Sequence, residues 1–146
     1  MEKRLEELLS IPGVLSLYAV NNRGEMITEL FNNEISREHA ESLGGRIVKI
    51  FAIGLYGKVQ RKTSEIELLY SSRRVFAIDC GRYNLILICD NFVQISMLRM
   101  TTNVLVQSMS QDKVIATFLE DHVIDKKILL RRDKLTEEEL TLLEKA

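Results

Sequence analysis

The chain has no tryptophan, one proline, two cysteines and two histidines among its 146 residues. A single proline excludes a proline-rich linker or recognition tract. Cys80 and Cys89 are nine residues apart and form no CxxC pair. With only two histidines and no CxxC spacing, a zinc site is not expected, nor any other cofactor. Both lie in apolar, strand-like stretches and read as buried thiols, which suits a reducing compartment. Charge of either sign is also nearly lacking in excess: 20 basic against 21 acidic residues leave a formal net charge of -1. No overall basic field draws such a chain to nucleic acid or to an anionic membrane. No run approaches the roughly 20 apolar residues of a membrane span. The opening MEKRLEELLS is charged and amphipathic, unlike a secretory signal, so a cytoplasmic location is expected.

What is present suits a globular domain: 46% hydrophobic and 28% charged residues, enough apolar side chain for a core. Glu2 to Ser10 predicts a short helix with Leu5, Leu8 and Leu9 on one face, ended at Ile11-Pro12-Gly13. VLSLYAV, Val14 to Val20, is β-rich and almost wholly apolar, as in a strand covered on both faces. Asn21-Asn22-Arg23-Gly24 is a turn, and the alternating Glu25 to Leu30 predicts a second strand paired back on the first. A helical period begins after Ser36, the best of several caps, and runs to about Tyr56. Lys58 to Lys62 reads as a loop. Three strands follow, Ser64 to Tyr70, Arg74 to Cys80 and Tyr83 to Cys89, with links so short that they must be antiparallel. After Asn91 a helix carries Ile95, Leu98, Thr102, Leu105 and Met109 on one stripe, and Asp112 caps a further turn with Ile115, Phe118 and Leu119. Residues 121 to 135 read equally as strand or helix. Thr136 and Glu139 have capping-box spacing, which predicts a short helix over TEEELTLLEKA. The fold class expected is α+β: a five-stranded antiparallel sheet with helices on both faces.

The motifs for chemistry are few. Gly44-Gly45, and Gly54 to Lys58, invite a phosphate loop, but GxxxxGK followed by Ser or Thr is missing and the segment ends a helix instead of opening one. Gly57 reads better as a helix C-cap, with Lys58 answering the helix dipole. His39 and His122 lie in polar stretches, and neither cysteine has an electropositive setting. Asp79 stands in an apolar strand, where it is either a buried acid or faces outward together with Val75 and Ala77. No second carboxylate is placed for paired acid–base work, so the chain is expected not to be an enzyme. Lys126, Lys127, Arg131, Arg132 and Lys134 form a basic cluster mixed with Asp125 and Asp133. It reads as a solvated face or as a docking surface for an acidic partner.

The helix followed by IPGVLSLYAVNNRGEMI, with the Gly13-Val14 pair, an apolar strand, a polar turn at Gly24 and a second strand, resembles the roadblock family. That family includes dynein light chains and bacterial and archaeal regulators of Ras-like GTPases. The helix over 39 to 56, the three strands and the helix after Asn91 follow in the family's order, α-β-β-α-β-β-β-α. The resemblance covers about residues 2 to 110, which divides the chain into a roadblock-like domain, 1 to 110, and a partly helical C-terminal extension, 111 to 146. It implies a profilin-like sandwich that dimerises through its long second helices and through edge-to-edge pairing of its third strands. It also implies a scaffold or a non-hydrolysing regulator of a small GTPase.

The residues add support of their own. At about 100° per residue, Ala40, Leu43, Gly44, Ile47, Phe51 and Gly54 share the face expected to lie on the sheet. Gly45, Ala52, Ile53 and Tyr56 gather on another side around Lys49, which suggests a second partner surface. Glu65 and Glu67 alternate with Ile66 and Leu68 as in a half-exposed edge strand, a hazard unless paired. These nine residues are the expected dimer interface. Lys126, Lys127, Arg131 and Arg132, with Leu140 and Leu143 on the terminal helix, are the candidates for contact with another partner. The expected partners are a second copy of the chain and a Ras-like GTPase. The alternatives are a structural adaptor acting through the extension without effect on a GTPase, and, ranked below both, a small-molecule sensor.

Overall fold

The computed structural model describes residues 1–31, 35–56 and 64–120. In chain order, a short helix α1 (Glu2–Glu6) runs into a 3-10 turn (Glu7–Ser10), then β1 (Val14–Val20) and the long helix α2 (Arg37–Tyr56). Strands β2 (Glu65–Leu69), β3 (Arg74–Asp79) and β4 (Asn84–Cys89) follow, then α3 (Ile95–Ser110) and α4 (Lys113–Glu120). The sheet is antiparallel with order β1-β4-β3-β2, so β1 and β4 are neighbours although far apart in sequence.

The sheet has four strands, not the five expected. Glu25 to Phe31 meets β1 only at two isolated bridges, Val20 with Met26 and Leu17 with Phe31. Three residue steps separate the β1 partners and five separate the others, so no continuous register joins them. Side chains take over instead. The Ala19 N–H donates to Thr28 Oγ1 (3.0 Å), and Ser16 Oγ donates to the Phe31 carbonyl (2.7 Å). The outer edge of β1 is thereby covered without a ladder.

Alternation along the strands builds two cores. On one face Leu17, Phe76, Leu85 and Leu87 pack with Leu5 and Leu8 of the N-terminal turns, Leu98, Leu105 and Met109 of α3, and Ile115 and Leu119 of α4. On the other, Tyr18, Val75, Ala77, Ile86 and Ile88 pack with Ala40, Ile47, Val48 and Phe51 of α2. Helices therefore cover both faces. β1 and β4 are buried almost throughout, which accounts for their unbroken apolar runs.

Local chemistry sets the helix starts where the sequence placed them. Ser36 Oγ accepts from the His39 N–H (3.2 Å) at the head of α2. Asp112 Oδ1 accepts from the N–H groups of Val114 (2.9 Å) and Ile115 (3.3 Å) at the head of α4, and its carboxylate also meets Arg4 (3.2 Å). Arg4 additionally donates to Ser108 Oγ, so α1, α3 and α4 are tied at one point.

Candidate functional site

Two turns press on neighbouring backbone and fix how the surfaces are presented. Gly13 has φ +96°, and a Cβ there would lie 2.9 Å from Val93 Cα. Gly24 has φ +85° and sits directly on α2, where its Cβ would fall 2.4 Å from Gly45 Cα. The paired glycines of α2 make this approach possible. A side chain at Gly44 would meet Val20 Cγ1 at 2.9 Å and the Gly24 carbonyl at 3.1 Å, whereas one at Gly45 would enter open space. The absence of a side chain at Gly44 is thus used within the chain, and Gly45 presents a bare stretch of helix.

The rest of the expected α2 surface divides. Lys49 is half-buried beside Gly45. Ala52 is 0% and Ile53 is 5% exposed within the single chain, so neither offers appreciable surface to a second molecule. They lie about 100° and 200° round the helix from Phe51, so burial near this end of α2 extends well beyond the sheet-facing stripe. The Tyr56 side chain lies outside the described residues, as do Lys126, Lys127, Arg131, Arg132, Leu140, Leu143, His122, the loop at Lys58 to Lys62 and the Gly57 cap.

Strand β2 ends the sheet, and its four expected residues lie side by side along that edge. Ile66 and Leu68 are half-buried against the α2-side core. Glu65 and Glu67 point to the opposite face, where Glu65 pairs with Arg99 of α3 (2.7 Å) and Glu67 with Arg74 (3.6 Å). The Asp79 N–H donates to the Ser64 carbonyl (2.8 Å) and the Tyr70 N–H to the Arg73 carbonyl (2.9 Å). Bonded pairs alternate along an antiparallel ladder, so Ile66 and Leu68 bond inward to β3. The N–H and C=O groups of Glu65, Glu67 and Leu69 face away from β3, toward an edge that no other strand among the described residues pairs with.

Asp79 does not face outward as one reading expected. Val75 and Ala77, on its side of β3, are buried beneath α2, and the Asp79 carboxylate accepts from the Gly81 N–H (2.9 Å) in the hairpin turn. Cys89 is buried, and Cys80 is half-buried at the other end of the hairpin. Burial, with the Asp90 carboxylate adding to it, pushes the Cys89 thiol up to about 12, which makes it an inert core group. Burial likewise raises the hydroxyls of Tyr18 and Tyr83. Tyr18 donates to the Ala40 carbonyl (2.8 Å), and the buried Tyr83 hydroxyl lies against the Cys80 thiol. Among the described residues no three His, Cys, Asp or Glu side chains gather as a metal site would need, and no helix is long and apolar enough to cross a membrane.

Sequence reasoning missed two features. Helix α3 carries Met97, Met100 and Val104 on an outward stripe, with Met100 65% and Val104 64% exposed. The helical spacing applied to α2 would have found it. The space beside Tyr83, taken up below, is lined from three separate stretches of chain, and no local signal marks it.

No protein-family model and no curated protein matches the chain. Its architecture is nevertheless shared with solved structures. A Roadblock/LC7 domain from Streptomyces avermitilis superposes with a TM-score of 0.63 at 12% identity, over 75% of this chain and 94% of that one. The gliding protein MglB from Thermus thermophilus gives 0.62 at 13% identity, over 82% and 88%. An MglB structure with a tetrameric arrangement gives 0.63 at 12% identity, over 84% and 89%. The chain has the roadblock fold, as the Gly13-Val14 opening implied.

Proposed function

We propose that this protein is a non-enzymatic, homodimeric roadblock-type protein that binds a Ras-like small GTPase in the cytoplasm and regulates or scaffolds it. The observation that carries the reading is the open edge of β2 in a roadblock fold. Outward backbone groups at Glu65, Glu67 and Leu69 have no neighbouring strand among the described residues, and unpaired edges are either protected or used. A second copy pairing β2 to β2 would satisfy them, and the bare backbone at Gly45 would admit close approach of a second α2. The tetrameric arrangement of an MglB of like fold agrees with self-association through this scaffold. On this reading residues 1–110 form the roadblock domain and 111–146 an extension, with its basic cluster and Leu140 and Leu143 as the candidates for contact with a further partner.

Two measurements test it. Sedimentation at micromolar concentration should give a dimer, and a stable monomer would remove the structural basis of the proposal. Capture of Ras-like GTPases loaded with GDP or with a non-hydrolysable GTP analogue should give binding that depends on the nucleotide. Nucleotide-independent binding would favour a scaffold, and no binding would leave the adaptor reading.

A further inference from the structure

The β3–β4 turn and the α3–α4 junction enclose a cavity of about 320 Å³ that none of the surfaces above uses. Its volume lies at the small end of the roughly 300–1,000 Å³ typical of ligand sites. Val106 and Met109 of α3, Ala116 and Leu119 of α4, and Tyr83 supply an apolar lining. Cys80, Gly81, Arg82 and Ser110 complete it, and of these Gly81, Arg82 and Ser110 are solvent-exposed, so they form the rim. The cavity therefore has a greasy interior and a polar mouth.

The polar groups at the mouth differ in what they can offer. The Ser110 hydroxyl donates to the Gln107 carbonyl (2.7 Å), which leaves its oxygen as an acceptor only. The Gly81 N–H is spent on Asp79 Oδ1 (2.9 Å). Arg82 is the one cation lining the cavity and, among the described residues, has no ion-pair partner. A guanidinium beside an apolar cleft selects a ligand with an anionic, planar head. The Tyr83 hydroxyl is buried in the same wall against the Cys80 thiol, which leaves Arg82 as the group that would select the head.

We propose that this cavity binds a small amphipathic carboxylate, its apolar chain against Val106, Met109, Ala116 and Leu119 and its carboxylate at Arg82. The match is one of shape and charge together: an apolar interior too small for a large cofactor, and a single positive group at the rim. This inference is independent of the GTPase reading.

The test is an amide NMR titration of the full chain with octanoate, octanol and octylamine, which share a chain length and differ in head charge. Octanoate should give saturable shifts centred on Gly81, Arg82 and Ala116, with a dissociation constant on the order of a millimolar or tighter. Octanol should bind more weakly, and octylamine should leave those amides unmoved. Arg82→Glu, an exposed substitution that leaves the fold intact, should weaken octanoate at least tenfold and favour octylamine. Ala116→Phe, which fills the cavity, should abolish the shifts with all three. Absence of saturable shifts at these residues, equal response to octylamine, or an unchanged octanoate affinity in Arg82→Glu would overturn the proposal.

Discussion

A Cβ at Gly24 would lie 2.4 Å from Gly45 Cα and 2.5 Å from its nitrogen, on a backbone already at φ +85°. Neither backbone can yield cheaply, so Gly24→Ala should cost roughly 2–4 kcal/mol, read as a lower urea midpoint. The glycines it rests on should respond in opposite directions. At Gly44 the methyl group meets Val20 and the Gly24 carbonyl, and Gly44→Ala should lower stability despite its better helix propensity. At Gly45 nothing is within 4 Å, and Gly45→Ala should raise monomer stability by up to about 1 kcal/mol. The buried hydroxyls and the Cys89 thiol make a pH prediction. Their folded-state values are raised, Cys89 from 9.0 to about 12. The unfolded chain releases these protons first, so the stability they lend is complete below about pH 9 and is lost as pH rises toward the folded values. Each group contributes up to about 1.4 kcal/mol per pH unit in that window. Tyr83→Phe should flatten the alkaline slope.

Elements were legible in the sequence wherever one physical signal governed them. The unbroken apolar run of β1, the Ser36 and Asp112 caps, and the 3.6-residue period of α2 and α3 all reappear as read. The strand expected at Glu25 to Leu30 failed because alternation reports which side faces the core and not whether a ladder closes. Thr28, which looked like an ordinary strand residue, instead gives its hydroxyl oxygen to the Ala19 N–H. The outward placing of Asp79 failed for a related reason: its side of β3 is roofed by α2, a tertiary fact that alternation cannot supply. Of the second surface read on α2, Gly45 borders open space, whereas Ala52 and Ile53 are buried within the single chain by packing beyond the sheet. Helix α4 belongs to the same core as the roadblock strands, with Ile115 and Leu119 packed in the cluster that contains Phe76. Leu119→Ala should therefore cost roughly 2–5 kcal/mol by thermal or urea unfolding, as for any core leucine, although the position lies beyond the segment that resembles the family.

At the scale of the whole molecule the two edges of the sheet are unlike. The β1 edge is capped from within by Thr28, Ser16 and two bridges, whereas among the described residues no strand pairs with the outward donors and acceptors of the β2 edge. On the proposed reading, an asymmetry of this kind would direct association to one side only and, between identical chains, to a closed two-fold pair rather than a growing sheet. The alternation of bonded pairs lets this be tested without unfolding the protein. The Glu67 N–H faces away from β3, so Glu67→Pro removes a donor that β3 does not use. Proline is tolerated at such a position, and the lost contact with Arg74 is a half-exposed pair worth little. The variant should fold with a circular dichroism spectrum like the parent and sediment as a monomer at concentrations where the parent is a dimer. Ile66→Pro is the matched control, since that N–H bonds inward, and it should lose fold stability instead. If Glu67→Pro remains dimeric, the β2 pairing is overturned and Gly45 on α2 is the next contact to test. Gly45→Leu, which has room for its side chain in the single chain, should then dissociate the pair while leaving the fold intact.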